Sequence, residues 1–418
     1  MQLSNEEEDY NLSLSKFESM LKTNKVLFFD SEEFEEIILH YLDMGKAALA
    51  KKALKLALEQ HPKSTGLKLV QVEMLVYDDK LELAEKLLNE LYAIEPTNEE
   101  IYIQKANICS KRDQHEKAVE LLKTALKYTD DYADVYNLIG MEYLFMDNLE
   151  KAKENFIKCL EEDLEDQSAL YNVVYCFEFL DQNQEAIAYL NKYIDKNPYS
   201  EIAWHQLGRL HYGVKEYENA IRAFDYATLI DDEFLGAFME KAKAYERLKK
   251  YEEAIESYSR TIELDDATSY ALLRMGKCYE KLGNKALALK HFNQTVHEDP
   301  LLDKGWIAIT DFYVRQKNYQ KALFFVNKAL AIDNQNHLYW KRYASINKQM
   351  NFFEEAEFGY RKAVEFGETG LETWLFWVDI LQFLGEFESA IQTLLQASEY
   401  FPEENEVEYR LAGLYFML

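Results

Sequence analysis

Apolar residues recur along this chain with a period of 34 residues. The clearest marker is an alanine that stands at the same place in every period. These alanines are Ala50, Ala84, Ala118, Ala152, Ala186, Ala220, Ala254, Ala288, Ala322, Ala356 and Ala390. No insertion or deletion breaks the register between the first and the last of them. A fixed period of this length predicts a repeat solenoid, in which each unit packs on its neighbours.

Each repeat carries two stripes of apolar side chains at helical spacing. With the alanine at position 20, the repeats begin at residues 31, 65, 99, 133, 167, 201, 235, 269, 303, 337 and 371. Positions 4, 8 and 11 form a stripe of a first helix, and positions 20, 24 and 27 a stripe of a second helix. All five prolines fall at position 32, where they end the second helix; they are Pro62, Pro96, Pro198, Pro300 and Pro402. This pattern excludes one long coiled coil, which would need heptads and no proline.

Position 8 is small in many repeats, as in Gly140, Gly208 and Gly276. We expect this residue to face the alanine at position 20, so that the two helix axes approach closely. A larger side chain at this contact would overpack it. The repeats that begin at residues 65 and 167 carry valine at position 8, Val72 and Val174. Their two helices should therefore pack more loosely.

The two ends of the chain differ from the repeats. Residues 1–30 are predicted to hold a disordered stretch, residues 1–12, followed by a capping helix over residues 13–29. The residues expected to face inward from that helix are Phe17, Met20, Leu21 and Leu27. Residues 405–418 match the first helix of a partial twelfth repeat, and this end is apolar. Because solenoids need polar capping repeats, we expect the natural chain to continue. The alternative is an end that binds a partner or a second copy of the chain.

Several repeats match a known signature. Trp204, Leu207, Gly208, Ala220, Phe224 and Ala227 reproduce most of the tetratricopeptide repeat pattern, as do Gly276, Tyr279, Ala288, Phe292 and Pro300. The chain thus resembles the tetratricopeptide repeat family over residues 31–418. The resemblance implies an all-α fold, a right-handed α-α superhelical solenoid of stacked helix hairpins. It implies eleven full repeats in residues 31–404, read as one continuous solenoid, and it says little about function.

The charge of the chain limits its partners. The formal net charge is −28 at neutral pH, which repels phosphate backbones and anionic membrane surfaces. Nucleic-acid binding is therefore disfavoured. No apolar run is long enough to span a bilayer, and no secretory signal precedes the repeats. The expected location is the cytoplasm.

The sequence carries no recognisable catalytic or cofactor motif. It has no HExxH pair, no glycine-rich phosphate loop, no GxSxG elbow and no CxxC. Its four cysteines are scattered at spacings that fit neither a metal site nor a disulfide framework. We predict that the chain is not an enzyme and needs no cofactor or metal.

In this family the first helices line a concave groove, to which positions 2, 5, 9, 12 and 13 point, with position 6 nearby. In repeats 6 to 10 these positions are mostly basic, whereas the first four repeats present Glu32, Glu35, Glu36, Glu73, Glu100 and Asp134. We predict a groove for an acidic peptide, in which arginine suits bidentate carboxylate binding and two aromatic residues add apolar contact. The candidate residues are Arg209, Tyr212, Lys243, Arg247, Arg274, Lys277, Lys281, Lys304, Trp306, Arg315, Lys341 and Arg342.

The preferred function is a protein-interaction scaffold or adaptor that binds an extended or helical protein segment. One alternative is the targeting array of a larger enzyme whose catalytic domain follows residue 418. Another is an RNA-processing scaffold, because Trp340–Tyr343 and Trp374–Trp377 resemble the half-a-tetratricopeptide variety of the repeat. The two-carboxylate clamp of chaperone-tail binding members is disfavoured, since no three successive repeats carry its residues.

Overall fold

The computed structural model describes residues 13–22, 27–264 and 269–417, and the regular elements among them are all α-helices. Residues 13–22 lie in α1. The first helices of the repeats are α2 Ser31–Asp43, α4 Thr65–Tyr77, α6 Glu99–Lys111, α8 Tyr132–Phe145, α10 Gln167–Phe179, α12 Glu201–Gly213, α14 Leu235–Arg247, α16 Ser269–Lys281, α18 Asp303–Arg315, α20 His337–Gln349, α22 Leu371–Phe383 and α24 Asn405–Met417. The second helices are α3 Ala47–Gln60, α5 Leu81–Ile94, α7 His115–Ala125, α9 Leu149–Glu162, α11 Asn183–Lys196, α13 Tyr217–Ile230, α15 Tyr251–Leu264, α17 Lys285–Glu298, α19 Tyr319–Ile332, α21 Phe353–Glu365 and α23 Phe387–Tyr400. The all-α repeat solenoid predicted from the sequence is confirmed.

The repeats form two compact units. Unit 1 spans Met1–Asn197 and unit 2 spans Pro198–Leu418. The helices of repeats 1 to 5 belong to unit 1, and those of repeats 6 to 12 belong to unit 2. In each unit the two helices of a repeat pack on each other and on the next repeat, as expected for hairpins that cannot bury their apolar faces alone.

The alanine at position 20 is fully buried in each of the eleven repeats. The small residue at position 8, however, faces a different partner from the one the sequence suggested. A Cβ added at Gly208 would lie 2.5 Å from Cε1 of Phe224, and one added at Gly140 would lie 2.6 Å from Cε1 of Phe156. Position 8 therefore faces the aromatic ring at position 24. The glycine makes room for that ring, while the alanine at position 20 keeps the helices close.

The two valine-containing repeats are packed as the sequence predicted. The helix pairs α4–α5 and α10–α11 pack less extensively than the other nine hairpins. Val72 and Val174 occupy position 8 in these repeats, and the residues at position 24 are Leu88 and Leu190 rather than aromatic rings. Two branched aliphatic side chains fill this contact less completely than a ring seated on glycine.

The turn between the helices of a repeat depends on position 15, which has a positive φ in all eleven repeats. Glycine occupies this position only at Gly45, Gly283 and Gly385, and aspartate, lysine or asparagine occupies the others. In repeat 2 the Asp79 N–H donates to the Val76 carbonyl and the Lys80 N–H to the Leu75 carbonyl. This left-handed cap satisfies the last carbonyls of the first helix and reverses the chain. Because several residue types adopt this left-handed conformation, no single residue type marks position 15 in the sequence.

Most of the second helices end at position 30, in repeats with and without proline, and only α7 and α21 end earlier, at Ala125 and Glu365. The helix α3 ends at Gln60, two residues before Pro62, but α9 also ends at the equivalent Glu162 with no proline after it. The start of the next repeat's first helix, which is marked by a capping residue, also limits how far the second helix can extend. The side chains of Ser64 and Asp166, both at position 34, accept hydrogen bonds from backbone N–H groups of the next helix. Proline is therefore sufficient to end the second helix but is not required.

The N-terminal cap is partly as predicted. Phe17 and Met20 of α1 are buried against repeat 1, and the Phe17 ring lies 5.9 Å from that of Phe29. The predicted helix over residues 13–29 is wrong at its end, because residues 27–30 are not helical. Leu27, expected to face inward, is 38% exposed, and its carbonyl accepts a hydrogen bond from the Gln60 side chain. Residues 1–12, expected to be disordered, lie outside the described residues.

The partial twelfth repeat begins with a helix, as predicted. Val407 and Leu414 of α24 are buried against repeat 11. The last apolar residues described, Tyr415, Phe416 and Met417, are exposed. The remaining residue of this end, Leu418, lies outside the described residues.

Replacing Gly208 by alanine should destabilise repeat 6 by about 1–3 kcal/mol, because the added methyl group overpacks the contact with Phe224. The matched control is Gly213→Ala in the same helix, where no atom lies within 4 Å of the added Cβ. That change should be neutral or slightly stabilising, since alanine favours helix more than glycine does. Hydrogen exchange of α12 and α13, followed by mass spectrometry, measures the local stability. Equal exchange in the two variants would contradict the contact.

Candidate binding face on the first helices

The first helices of unit 2 are joined to one another by ion pairs between consecutive repeats. Each pair links an arginine of one repeat to a carboxylate on the first helix of the preceding repeat. Three of these pairs lie between α14 and α20: Arg274 with Glu246, Arg315 with Glu280, and Arg342 with Asp311. A fourth joins Arg410 of α24 to Asp379 of α22. Because the helices repeat with constant geometry, the same kind of ion pair recurs between consecutive first helices. We call the surface that carries these residues, from α12 to α20, the first-helix face of unit 2.

The pair between Arg274 and Glu246 is the most buried of the three. Arg274 Nε lies 2.8 Å from Oε1 and Nη2 lies 2.6 Å from Oε2 of Glu246, and the Tyr258 hydroxyl donates to Oε1 at 2.7 Å. Burial and the Glu246 carboxylate raise the pKa of Tyr258. Burial acts to lower the pKa of Arg274, but Glu246 outweighs it and raises that pKa. The guanidinium is thus committed to an intramolecular partner.

A cavity of about 340 Å³ lies on this face between repeats 7 and 9. Four of the predicted site residues line it together: Arg274, Lys277, Lys281 and Arg315. The two arginines are paired, as described above. Among the described residues, the ammonium groups of Lys277 and Lys281 have no hydrogen-bond or ion-pair partner. Burial and the neighbouring Arg274 lower the pKa of Lys277.

A smaller cavity of about 220 Å³ brings together three further predicted residues, Arg209, Tyr212 and Lys243. Lys243 Nζ lies 5.5 Å from the centroid of the Tyr270 ring, within cation–π range. Glu240 also lines this cavity and lies 3.3 Å from His205 Nε2. Burial acts to raise the pKa of Glu240, but His205 and the nearby cations outweigh it and lower that pKa.

The other predicted site residues lie outside these two cavities. Arg247 donates to the Tyr212 hydroxyl at 3.0 Å, and Lys341 donates to Glu368 at 3.2 Å. Lys304 is exposed, and Arg342 is paired with Asp311. The structure therefore gathers seven of the twelve predicted residues in two places.

Trp306, which was predicted to line the groove, makes contacts within the fold. Its indole Nε1 donates to the Pro300 carbonyl at 2.9 Å, and its ring stacks on Phe325. Trp204 and Trp340 make the same bond to the carbonyl six residues before them. An aromatic residue at position 4 thus ties its helix to the preceding turn. Its role is in packing within the stack, because its hydrogen-bond donor and its ring are both occupied.

The sequence analysis also missed the pairing of the arginines. No partner was predicted for the arginines, and Glu246, Glu280 and Asp311 were not among the predicted site residues. The available signal was a carboxylate at position 9 or 12 of one repeat followed by an arginine at position 6 or 13 of the next. The sequence alone does not show which of these positions approach each other between neighbouring helices.

The tryptophans that prompted the RNA-processing alternative pack against other side chains of the fold. Trp374 and Trp377 are buried, and their ring centroids are 6.1 Å apart. Trp340 packs edge-on against Tyr343 and against Phe358. Trp377 Nε1 also donates to Glu357 of the preceding repeat at 3.1 Å, so these rings take part in packing within and between repeats 10 and 11.

Within residues 13–22, 27–264 and 269–417, no group of three His, Cys, Asp or Glu side chains is placed to hold a metal ion. Over the same residues, none of the helices has the length and apolar character needed to cross a bilayer.

Family models described as tetratricopeptide repeat match residues 75–141, 133–166, 168–200, 205–271 and 239–303. Together these matches cover more than half of the chain. The chain belongs to the tetratricopeptide repeat family. The helix bounds above show that the same repeat also continues outside the matched residues.

One curated relative is anaphase-promoting complex subunit 3 of Schizosaccharomyces pombe (strain 972 / ATCC 24843), 25% identical over 157 residues. The match covers 38% of this chain and 24% of that protein, so the chain spans about a quarter of the relative's length. Among solved structures, the APC/C hetero-tetramer Cut9-Hcn1 has a TM-score of 0.40 at 13% identity, over 99% of this chain and 95% of that chain. A tetratricopeptide repeat protein from Parabacteroides merdae ATCC 43184 has a TM-score of 0.44 at 15% identity, over 60% and 99%.

Replacing Arg274 by methionine should destabilise the stack of α14 and α16 by about 2 kcal/mol, because the change leaves the shielded Glu246 carboxylate without its charged donor. The matched control is Arg315→Met. Its pair with Glu280 is also bidentate, but the Arg315 side chain is 54% exposed against 29% for Arg274. That loss should be below about 1 kcal/mol. Hydrogen exchange of the two helix pairs measures both effects, and a larger loss at Arg315 would contradict this interpretation.

Proposed function

We propose that the chain is a protein-interaction scaffold that binds an acidic protein segment on the first-helix face of unit 2. Membership of a repeat family that forms extended surfaces supports a binding role. The similarity to a subunit of a multiprotein complex supports a protein as the partner. The ligand-binding cations are Lys277 and Lys281, with Arg209 and Lys243 in the neighbouring cavity.

The observation that carries the proposal is the charge balance of the 340 Å³ cavity. Its three carboxylates are Glu246, Glu280 and Asp311, and each is already paired with an arginine. The charges of Lys277 and Lys281 are therefore in excess, although the whole chain is strongly acidic. An incoming carboxylate meets two ammonium groups and does not compete with a protein carboxylate for either of them.

The ion pairs also prepare the site for binding. They hold consecutive first helices in register, so the two lysines are presented from a rigid frame. Preorganisation lowers the entropy cost of binding, because few groups have to be ordered when the ligand arrives. Association with an acidic segment is steered by charge and should weaken as salt is added. The segment lies across several first helices, since the cations are spread over repeats 6 to 8.

Charge reversal of both lysines, Lys277→Glu with Lys281→Glu, should weaken binding of a fluorescein-labelled peptide that alternates glutamate and leucine. The expected loss is at least about tenfold in affinity, because two charge-assisted contacts are removed. Fluorescence anisotropy on the full chain measures it. The lysines are changed rather than the arginines, because loss of an arginine would also loosen the helix stack.

The matched control for this experiment is Lys285→Glu with Lys290→Glu. These two lysines lie on α17, the second helix of the same repeat, and are exposed. The control makes the same change in net charge and should leave the affinity within about twofold, as expected for a long-range effect screened by salt. Equal losses in the two double variants would reduce the effect to net charge and would sink the proposal.

The affinity for the same peptide should also depend on pH through Lys277. Its pKa is lowered in the free protein, and a bound carboxylate raises it by favouring the ammonium form. The contribution of Lys277 is therefore complete below its lowered pKa and is lost as the pH rises through its pKa in the complex. In Lys277→Arg the cation stays charged over this pH range, so the fall in affinity caused by loss of the Lys277 proton should disappear. An identical pH profile in both proteins would exclude Lys277 as a ligand-binding cation.

A further inference from the structure

A cavity of about 170 Å³ in unit 1 lies at the same place in the repeat as the large cavity of unit 2. It lies between repeats 1 and 2, and its lining residues include Leu42 at position 12, Glu73 at position 9 and Tyr77 at position 13. In unit 2 the corresponding residues are Glu246, Lys277 and Lys281. Because the helices have the same bounds within the repeat, these positions present their side chains in the same way.

The chemistry of the unit 1 cavity is the reverse of that in unit 2. A glutamate replaces the lysine at position 9, and a tyrosine with 76% of its surface exposed replaces the lysine at position 13. Leu42 and Met74 supply apolar lining. The cavity therefore combines an apolar floor, an accessible aromatic ring and one carboxylate.

The carboxylate of Glu73 has no hydrogen bond or ion pair to any residue that the structure describes. Lys51 also lines the cavity, but its ammonium group is bound to Asp78 at 2.6 Å and 2.8 Å. Burial and the nearby Glu100 raise the pKa of Glu73. The Glu73 side chain is exposed, and its unpaired negative charge, close to other acids, is stabilised by a cation from outside.

Further carboxylates extend the same field along the first helices of unit 1. Burial raises the pKa of Glu100, with Glu99 and Asp134 adding to the effect. Burial and Glu32 likewise raise the pKa of Glu35 on α2. The neighbours that raise these pKa values are other acids, so the field around the cavity is negative across repeats 1 to 4. It attracts basic groups and repels phosphates, which disfavours nucleic acids and anionic membranes as occupants.

We propose that this cavity binds a protein segment in which a basic residue adjoins an apolar one, with the cation on Glu73 and the apolar side chain against Leu42, Met74 and Tyr77. Arginine fits best, because its planar fork binds a carboxylate through two hydrogen bonds and stacks on an aromatic face. This site is independent of the proposed function, since it uses residues of the other unit. The chain would then hold an acidic and a basic segment at separate places.

The test uses the full chain and a fluorescein-labelled peptide that alternates arginine and leucine. Wild type should bind this peptide, and Glu73→Gln should weaken binding by about tenfold, because one charge-assisted contact is lost while the shape is kept. Tyr77→Ala should weaken binding as well, and its fold is safe because the ring is largely exposed. The matched control is Glu82→Gln, an exposed glutamate on the second helix of the same repeat. It should bind as wild type does.

Several results would overturn the proposal. Unchanged binding in Glu73→Gln would show that Glu73 does not hold the cation, and an equal loss in Glu82→Gln would leave only a general charge effect. Equal binding of a peptide that alternates serine and leucine would show that the cavity takes apolar segments without a cation. Sedimentation velocity without peptide measures self-association. If wild type self-associates and Glu73→Gln does not, the cavity binds a second copy of the chain. Glu73→Gln should still weaken binding of the arginine peptide when Lys277→Glu and Lys281→Glu are also present. That result would show that this site is separate from the one in unit 2.

Discussion

The close approach of the two helices within a repeat is the contact on which the rest of the structure depends. It is made by the buried alanine at position 20 and, in several repeats, by glycine at position 8 beneath the aromatic ring at position 24. A repeat has too little apolar surface to fold alone, so its remaining faces must be covered by the next repeat. The constant spacing of the hairpins follows from this one contact, and the face carried by the first helices follows from the spacing.

A left-handed residue at position 15 closes every hairpin, and the first helices before it all end at position 13 of their repeat. Equivalent positions therefore point in equivalent directions throughout a unit, whatever residue occupies them. This is how one frame supports opposite chemistry. Position 9 lines a cavity with lysine in unit 2 and with glutamate in unit 1. The fold sets where the position 9 side chain lies, and the residue type at that position sets which ligand charge it attracts.

Five cations in and beside the 340 Å³ cavity differ in their partners. Arg274, Arg315 and Arg342 are held by carboxylates of the preceding repeat and connect the helices. Lys277 and Lys281 share the cavity without such partners. The difference fits the side chains, since a guanidinium forms two parallel hydrogen bonds to a carboxylate, whereas an ammonium group is a mobile point charge. Counting charges along the face would treat all five residues as equal.

The sequence by itself determined the fold class, the register of the repeats and the looser packing at Val72 and Val174, because all of these depend on periodic apolar positions near in the chain. It also placed seven candidate residues near two cavities, since their repeat positions lie on one helix face. Only the tertiary structure decided that position 8 faces the ring at position 24, that Trp306 packs inside the stack and that the arginines are paired. These contacts join residues of different helices. Their partners depend on how far neighbouring helices are shifted and rotated, and a one-dimensional pattern does not contain those quantities.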